Sequence, residues 1–283
     1  MKLSVLLKEN TGLLKAAGVP DAAYDARQLL LSAYGLTAEE YLLAKDREAE
    51  DPAGAERFET MVRRRAQREP LQYILGEAWF MGRRFLVTPE VLIPRPDTET
   101  LVELVLLETE AAEKHSVLDL CTGSGCIAVS LAGSGHFAEV AAADISPEAL
   151  RIALRNAKEN GTPVRFFQSN LFEAVTGRYD ILVSNPPYIR KKDLTGLEPE
   201  VGVYEPKLAL DGGEDGLEFY RRIVAQAGRC LTPGGSIYLE TGFDQAEAAA
   251  ELLAAHGFHR IRVTKDLAGL DRVVSGYEYT GTN

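Results

Sequence analysis

The stretch Asn185-Pro186-Pro187-Tyr188 follows directly on the apolar run YDILV and a single serine. An asparagine, two prolines and an aromatic where a buried strand ends are suited to chemistry on a planar NH2 group. An amide or exocyclic amine nitrogen has its lone pair drawn into a π-system and is a poor nucleophile, so it must be held. An asparagine side-chain oxygen and a prolyl carbonyl can accept its two N–H protons, orienting the nitrogen and stabilising the positive charge that develops on it. Pro187 stiffens such a loop, Pro186 biases Asn185 away from helical geometry, and Tyr188 offers a flat face to a planar group.

A second signal lies upstream in HSVLDLCTGSGCIAVSLA. An apolar strand runs into Thr122-Gly123-Ser124-Gly125 and then a helix, so backbone can approach a ligand at the carboxyl edge of a sheet. About twenty residues on, the next strand ends at Asp144, placed to accept the hydroxyl protons of a ribose. Separately, the glycines would serve a tight turn and Asp144 would cap the helix opening at Ser146-Pro147. In register on one strand-turn-helix-strand unit they favour a nucleoside-containing cofactor. Gly123 to Ala128 also fits GxGxxA, which keeps a nicotinamide oxidoreductase open. Asp119 argues against it, because an acidic group there suits the amino group of an amino-acid moiety better than a pyrophosphate. The cofactor it points to is S-adenosylmethionine.

These residues need a scaffold. After Lys114 strand and helix patterns alternate, which predicts a mostly parallel sheet covered on both faces. Strands are expected at 116–120, 139–144, 164–168, 180–184, 236–240, 260–264 and 273–277, with a helix at 98–110. In the first seventy positions apolar residues recur at helical spacing, with breaks at Gly18-Val19-Pro20, Gly35 and Asp51-Pro52, giving four or five helices. From Tyr73 to Pro96 the texture turns β-rich, with a hairpin around Gly82. The expected division is a helical substrate-recognition domain at 1–72, a β-hairpin linker at 73–95 and a catalytic domain at 96–283.

Bulk properties narrow the function. The 283 residues are 46% hydrophobic with a net charge of −11, which argues against affinity built on nucleic-acid phosphates. Residues 1–85 hold thirteen basic and thirteen acidic residues, so the rest of the chain supplies the whole negative excess. Three cysteines without a CxxC pair suit a reducing cytosol, and four scattered histidines predict no metal site. The N-terminus lacks a signal-peptide apolar region, and no apolar run approaches membrane-spanning length. A cytoplasmic, monomeric protein without stable nucleic-acid binding is expected. Arg63, Arg64, Arg65 and Arg68 are read either as a solvated helix face or as a surface for an acidic partner. Glu198, Glu200 and Glu205 read as a structural acidic loop.

Asp119-Leu-Cys-Thr-Gly-Ser-Gly125, Asp144 and Asn185-Pro-Pro-Tyr188 resemble the class I S-adenosylmethionine-dependent methyltransferases that modify amino nitrogens. More narrowly, Ile93-Pro-Arg-Pro-Asp-Thr-Glu99 and Glu205-Pro-Lys-Leu-Ala-Leu-Asp-Gly-Gly213 resemble the release-factor glutamine methyltransferases, the PrmC/HemK family, and the likeness extends over essentially the whole chain. It implies a Rossmann-like α/β fold with a seven-stranded, mostly parallel sheet and a small N-terminal helical domain. The implied reaction is methylation of the glutamine side-chain amide in the GGQ motif of class I peptide chain release factors. Asn185 and Pro186 become the amide acceptors, Pro187 and Tyr188 pack the substrate, and Arg95 shapes its mouth. The loop Cys121-Thr122-Gly123-Ser124-Gly125, with Asp119 and Asp144, becomes the cofactor cradle, Leu171 lies near the adenine, and Asn170 can bond its amino group. Cys121 stands at the first position of the glycine loop, where a side chain is expected to need φ < 0 with Cβ turned from the cofactor. The chemistry needs no general base, since the proton can leave to water. Rivals within the reaction class are a ribosomal-protein glutamine methyltransferase and a DNA adenine-N6 methyltransferase. A non-catalytic binding module would require a degenerate cofactor loop.

Overall fold

The computed structural model describes residues 1–109 and 114–280. They form two compact units: Met1–Glu77 together with Glu198–Tyr204, and the rest of the described chain.

The first unit is helical: α1 (Leu3–Ala16), α2 (Ala22–Tyr34), α3 (Ala38–Ala44), α4 (Pro52–Ala66) and α5 (Leu71–Leu75). Local chemistry explains the boundaries. Gly35 ends α2 in a left-handed conformation. Thr37 and Glu40 form a reciprocal capping box at α3, and Pro52 opens α4, where its missing N–H is harmless. Leu14, Leu29, Leu30, Phe58 and Val62 form its core. Of the arginines at the end of α4 and just beyond it, Arg65 and Arg68 depart from the expected solvated face, while Arg63 and Arg64 keep exposed side chains. Arg65 is buried and bonds Asp25 at 2.6 Å and Glu200 at 2.8 Å, Arg68 bonds Glu198 and Glu200, Arg64 bonds Glu69, and Arg63 bonds Glu59. Residues 73–75 continue a helix rather than opening the β-rich stretch, and Gly76 caps it at φ 77°.

The second unit begins at Ala78, inside a hairpin of β1 (Glu77–Phe80) and β2 (Arg83–Leu86) that turns at Met81-Gly82 as expected. There follow α6 (Pro96–Glu108), β3 (Ser116–Leu120), α7 (Cys126–Ser134), β4 (Glu139–Asp144), α8 (Pro147–Glu159), β5 (Arg165–Gln168) and β6 (Tyr179–Ser184). The expected end of α6 at residue 110 lies outside the described residues. The chain then passes through α9 (Pro199–Gly202), which belongs to the helical unit, and continues with α10 (Lys207–Leu210), α11 (Glu218–Gln226), β7 (Leu231–Glu240), α12 (Ala246–Ala255), β8 (His259–Lys265) and β9 (Asp271–Tyr277). Strand β7 starts five residues before the sequence suggested: Thr232-Pro233-Gly234-Gly235 reads as a turn, yet Leu231 pairs with Tyr179 across a bulge.

Among the described residues, β3 to β9 form one seven-stranded sheet in the order β5-β4-β3-β6-β7-β9-β8, parallel except for β9, which runs antiparallel to β7 and β8. Both faces are covered, which is why β3 and β6 read as nearly unbroken apolar runs. Leu118, Leu182, Tyr220 and Leu239 pack one face, and Val117, Val183, Leu101 and Ile127 the other. The order reverses at β3, so a crevice opens beyond the carboxyl ends of β3, β4 and β6.

Candidate active site

Strand register assembles the site. Leu120 pairs with Ala143 on one side and Ser184 on the other, so Cys121, Asp144 and Asn185 leave the sheet side by side. Asp144 pairs with Gln168, which brings Ser169-Asn170-Leu171 alongside. Ser184 pairs with Leu239, which puts Glu240 next to Asn185. A cavity of about 480 Å³ lies at this edge, within the roughly 300–1,000 Å³ of small-molecule sites. Its lining includes Cys121, Gly123, Asp144, Leu171, Asn185 and Pro187, with Asn170 and Ile145 also exposed to it.

The glycine loop is built from below. Gly123 has φ 56°, and a Cβ there would meet no heavy atom within 4 Å, so its backbone lies open. Gly125, at φ 80°, serves packing: a Cβ would come within 3.0 Å of the Ala153 Cβ on α8. Asn156 of α8 donates to the Ser124 carbonyl and exchanges hydrogen bonds with the Leu86 backbone, tying the loop to the hairpin. Asp144 accepts the Gly123 N–H at 2.8 Å and the Ser146 N–H at 2.9 Å, one on each oxygen. Burial pushes its carboxyl above the usual range. A carboxylate has about four acceptor positions, so two remain for other donors. The cap of α8 is Ser146, whose hydroxyl accepts the Ala149 N–H.

Several expected residues sit elsewhere. Asp119 does not line the cavity; it is fully buried behind the loop, where one oxygen accepts the Thr122 hydroxyl at 2.6 Å and the other has no hydrogen-bond partner among the described residues. Burial raises its carboxyl to about 7. Thr122 and Ser124 are buried with it. Cys121 corrects the expectation of a negative φ: it adopts φ 60°. Its side chain packs against the core and its thiol bonds Ser184, and burial raises the thiol pKa, so the left-handed backbone is compatible with a side chain that has a buried place to go. Asn170 has both ends of its amide engaged, accepting from Arg222 at 2.7 Å and donating to Glu173. Arg95 stands at the N-cap position of α6 without a capping bond, and its side chain bonds both oxygens of Glu205, at 2.6 and 2.7 Å, in place of lining the cavity.

At the opposite wall, Asn185 donates its Nδ2 to the Thr98 hydroxyl at 3.2 Å. Among the described residues no hydrogen bond occupies its Oδ1 or the Pro186 carbonyl. Pro186 and Pro187 are buried. Tyr188 packs against the core away from the cavity, and burial raises its phenol to about 12. Its carbonyl accepts from Gln245 at 2.9 Å. The Glu205–Gly213 motif has a mechanical purpose here: a Cβ on Gly212 would lie 2.6 Å from the Tyr188 Cα, and Ile189 donates its N–H to the Leu210 carbonyl and accepts the Gly212 N–H, a strand-like bridge between the two segments. Sequence reasoning missed Thr98, Glu240, Gln245, Asn156 and Arg222. Two signals were available: Thr98 lies within the Ile93–Glu99 motif, and Glu240 is an acid closing an apolar strand at the same edge as Asp144.

Comparison with known proteins agrees with this architecture. A family model described as "Methyltransferase small domain" matches residues 95–197, and one described as "PrmC N-terminal domain" matches residues 6–76. The release factor glutamine methyltransferase of Geobacter sulfurreducens is 45% identical over 94% of this chain and 93% of its own length. That of Moorella thermoacetica is 44% identical over 98% and 99%. Among solved structures, the Thermus thermophilus 16S rRNA N2 G1207 methyltransferase, in complex with AdoMet and guanosine, superposes with a TM-score of 0.53 at 22% identity, over 71% of this chain and 49% of that one, a likeness of fold. With this identity along nearly the whole of both chains, the protein belongs to the family of release factor glutamine methyltransferases.

Proposed function

We propose that this enzyme transfers a methyl group from S-adenosylmethionine to the N5 side-chain amide nitrogen of the glutamine in the GGQ motif of class I peptide chain release factors, in the cytoplasm. The observation that carries the reading is Asn185, which lines the cavity: its NH2 is held by Thr98, which leaves Oδ1 as one acceptor, and the carbonyl of the next residue, Pro186, is the second we assign. A primary amide offers two N–H donors from one flat nitrogen, and two acceptors set its plane. Acceptors also interact more strongly as positive charge grows on that nitrogen, so they favour the transition state over the bound substrate.

The cavity residues fit the cofactor. Gly123 leaves its backbone open, Asp144 keeps acceptor capacity for two ribose hydroxyls, and Ile145 and Leu171 supply apolar surface for a purine. When bound, S-adenosylmethionine supplies an electrophilic methyl group on a sulfonium. The protein's own contribution is to hold the acceptor nitrogen and to keep the loop and Asp144 in register. The helical unit is the part proposed to grip the release factor; it exposes Leu42 and Leu43 on α3, apolar side chains that a protein partner can cover.

Incubation with labelled S-adenosylmethionine tests the reading. A class I release factor should be labelled far faster than duplex DNA or a free GGQ peptide, and replacing the GGQ glutamine with alanine should abolish labelling. Labelling of DNA but not of the release factor would overturn it. Leu43→Asp should raise KM for the release factor while leaving cofactor affinity unchanged.

A further inference from the structure

We propose that Glu240, acting through the Thr98 hydroxyl, sets which way the Asn185 amide faces, so that its oxygen and not its NH2 is presented to the nitrogen that is methylated. This rests on the assignment of Asn185 as an amide acceptor and names what makes that assignment hold. An asparagine amide is nearly symmetric in shape but opposite in hydrogen-bonding sense at its two ends, so a flip would aim donors at a substrate that itself offers only donors. Something must break the symmetry.

Thr98 is buried, and its single hydroxyl has one proton to donate. It accepts from the Asn185 amide at 3.2 Å, and its other polar neighbour is the Glu240 carboxyl, which the pairing of Ser184 with Leu239 sets beside Asn185. An ionised carboxylate only accepts. With the Thr98 proton committed to Glu240, the Thr98 oxygen can only accept from Asn185, so Nδ2 turns to Thr98 and Oδ1 turns away. Glu240 is 1% exposed, and its Oε2 has no hydrogen-bond partner among the described residues. A group so buried and only half satisfied calls for a role beyond packing.

Protonation reverses the logic. A neutral Glu240 can donate to Thr98, which frees the Thr98 proton for Asn185 Oδ1 and turns the amide round. The groups that face Glu240 are Asp97 and Thr98 of α6, Arg95 at its cap, Arg272 of β9, Tyr188 of the NPPY turn, Tyr220 of α11 and Cys126 of α7. The arginines favour the charged form, while burial and Asp97 oppose it, leaving the carboxyl at about 7. The orientation is therefore set above neutral pH and lost below it.

Single-turnover methylation of a release factor at saturating S-adenosylmethionine, with cofactor affinity and thermal melting measured in parallel, tests this. At pH 8, Thr98→Val should slow transfer by about 10-fold or more with cofactor affinity within about twofold, and Thr98→Ser should recover most of the rate. The parent's rate should fall between about pH 8 and 6, and Glu240→Gln should be slowed at pH 8 and lack that fall. Thr98→Val at the parental rate, a loss matched by equal loss of cofactor affinity or of folding, or a Glu240→Gln enzyme that keeps the parental acid limb, would each overturn the proposal. Asn185→Ala run alongside separates the two claims: if it stays inactive while Thr98→Val is fully active, only the orienting role fails; if it is fully active, the assignment of Asn185 fails.

Discussion

The backbone N–H of Gly123 donates to the Asp144 carboxylate at 2.8 Å. A loop residue and a strand-end acid 21 positions apart are thus one unit before any ligand arrives. Asp144→Ala should therefore affect binding twice, by removing acceptors for the cofactor and by releasing the loop. A loss of about 1–3 kcal/mol in S-adenosylmethionine affinity is expected by calorimetry, the scale of a charge-assisted hydrogen bond. Unchanged affinity would remove Asp144 from the site.

Asn185→Ala removes an acceptor used as charge develops on the nitrogen. Its rate of methyl transfer should fall by roughly 100-fold or more while cofactor affinity changes little. Rapid-quench measurement of a single turnover reads this directly, and a rate near the parent's would refute the role given to the NPPY turn.

Asp119 predicts a pH dependence of stability. Its folded-state carboxyl is raised to about 7, so folding favours its protonated form. The stability this contributes is complete below about pH 4, the ordinary carboxylate range, and is lost as pH rises through about 7. Asp119→Asn cannot titrate. Urea unfolding at pH 5 and pH 8 should show the variant gaining on the parent by on the order of a few kcal/mol at the higher pH. A pH-independent difference would show that the acid is not perturbed.

In the helical unit, Arg65 and Asp25 form an ion pair at 2.6 Å with side chains only 6% and 7% exposed. Arg65→Ala leaves Asp25 and Glu200 without their shared cation and should destabilise this unit by about 3–5 kcal/mol. Replacing both partners of the pair with apolar residues, Arg65→Met with Asp25→Leu, should recover much of that loss in chemical denaturation. A double variant no better than the single one would mean the pair does more than neutralise itself.

The parts of this fold are written in local sequence patterns. Alternating strand and helix patterns, turn glycines and strand-end residues located nearly every element of the sheet unit, because such signals are local: period, capping and backbone freedom are properties of a few neighbouring residues. The presence of Gly123, Asp144 and Asn185 at one edge was also legible, since parallel strands of one sheet all end on the same side. Tertiary structure decided what each side chain does there. Cys121 tolerates φ 60° because its thiol finds a buried place by Ser184. Asp119 lies behind the loop instead of in the cavity, and Arg65 neutralises Asp25 and Glu200 instead of facing solvent. Above all, the link from Asn185 through Thr98 to Glu240 joins residues 87 and 142 positions apart in the chain. Only the pairing of Ser184 with Leu239 puts those strand ends together, and inter-strand register arises from packing of the whole sheet, which no local spacing encodes.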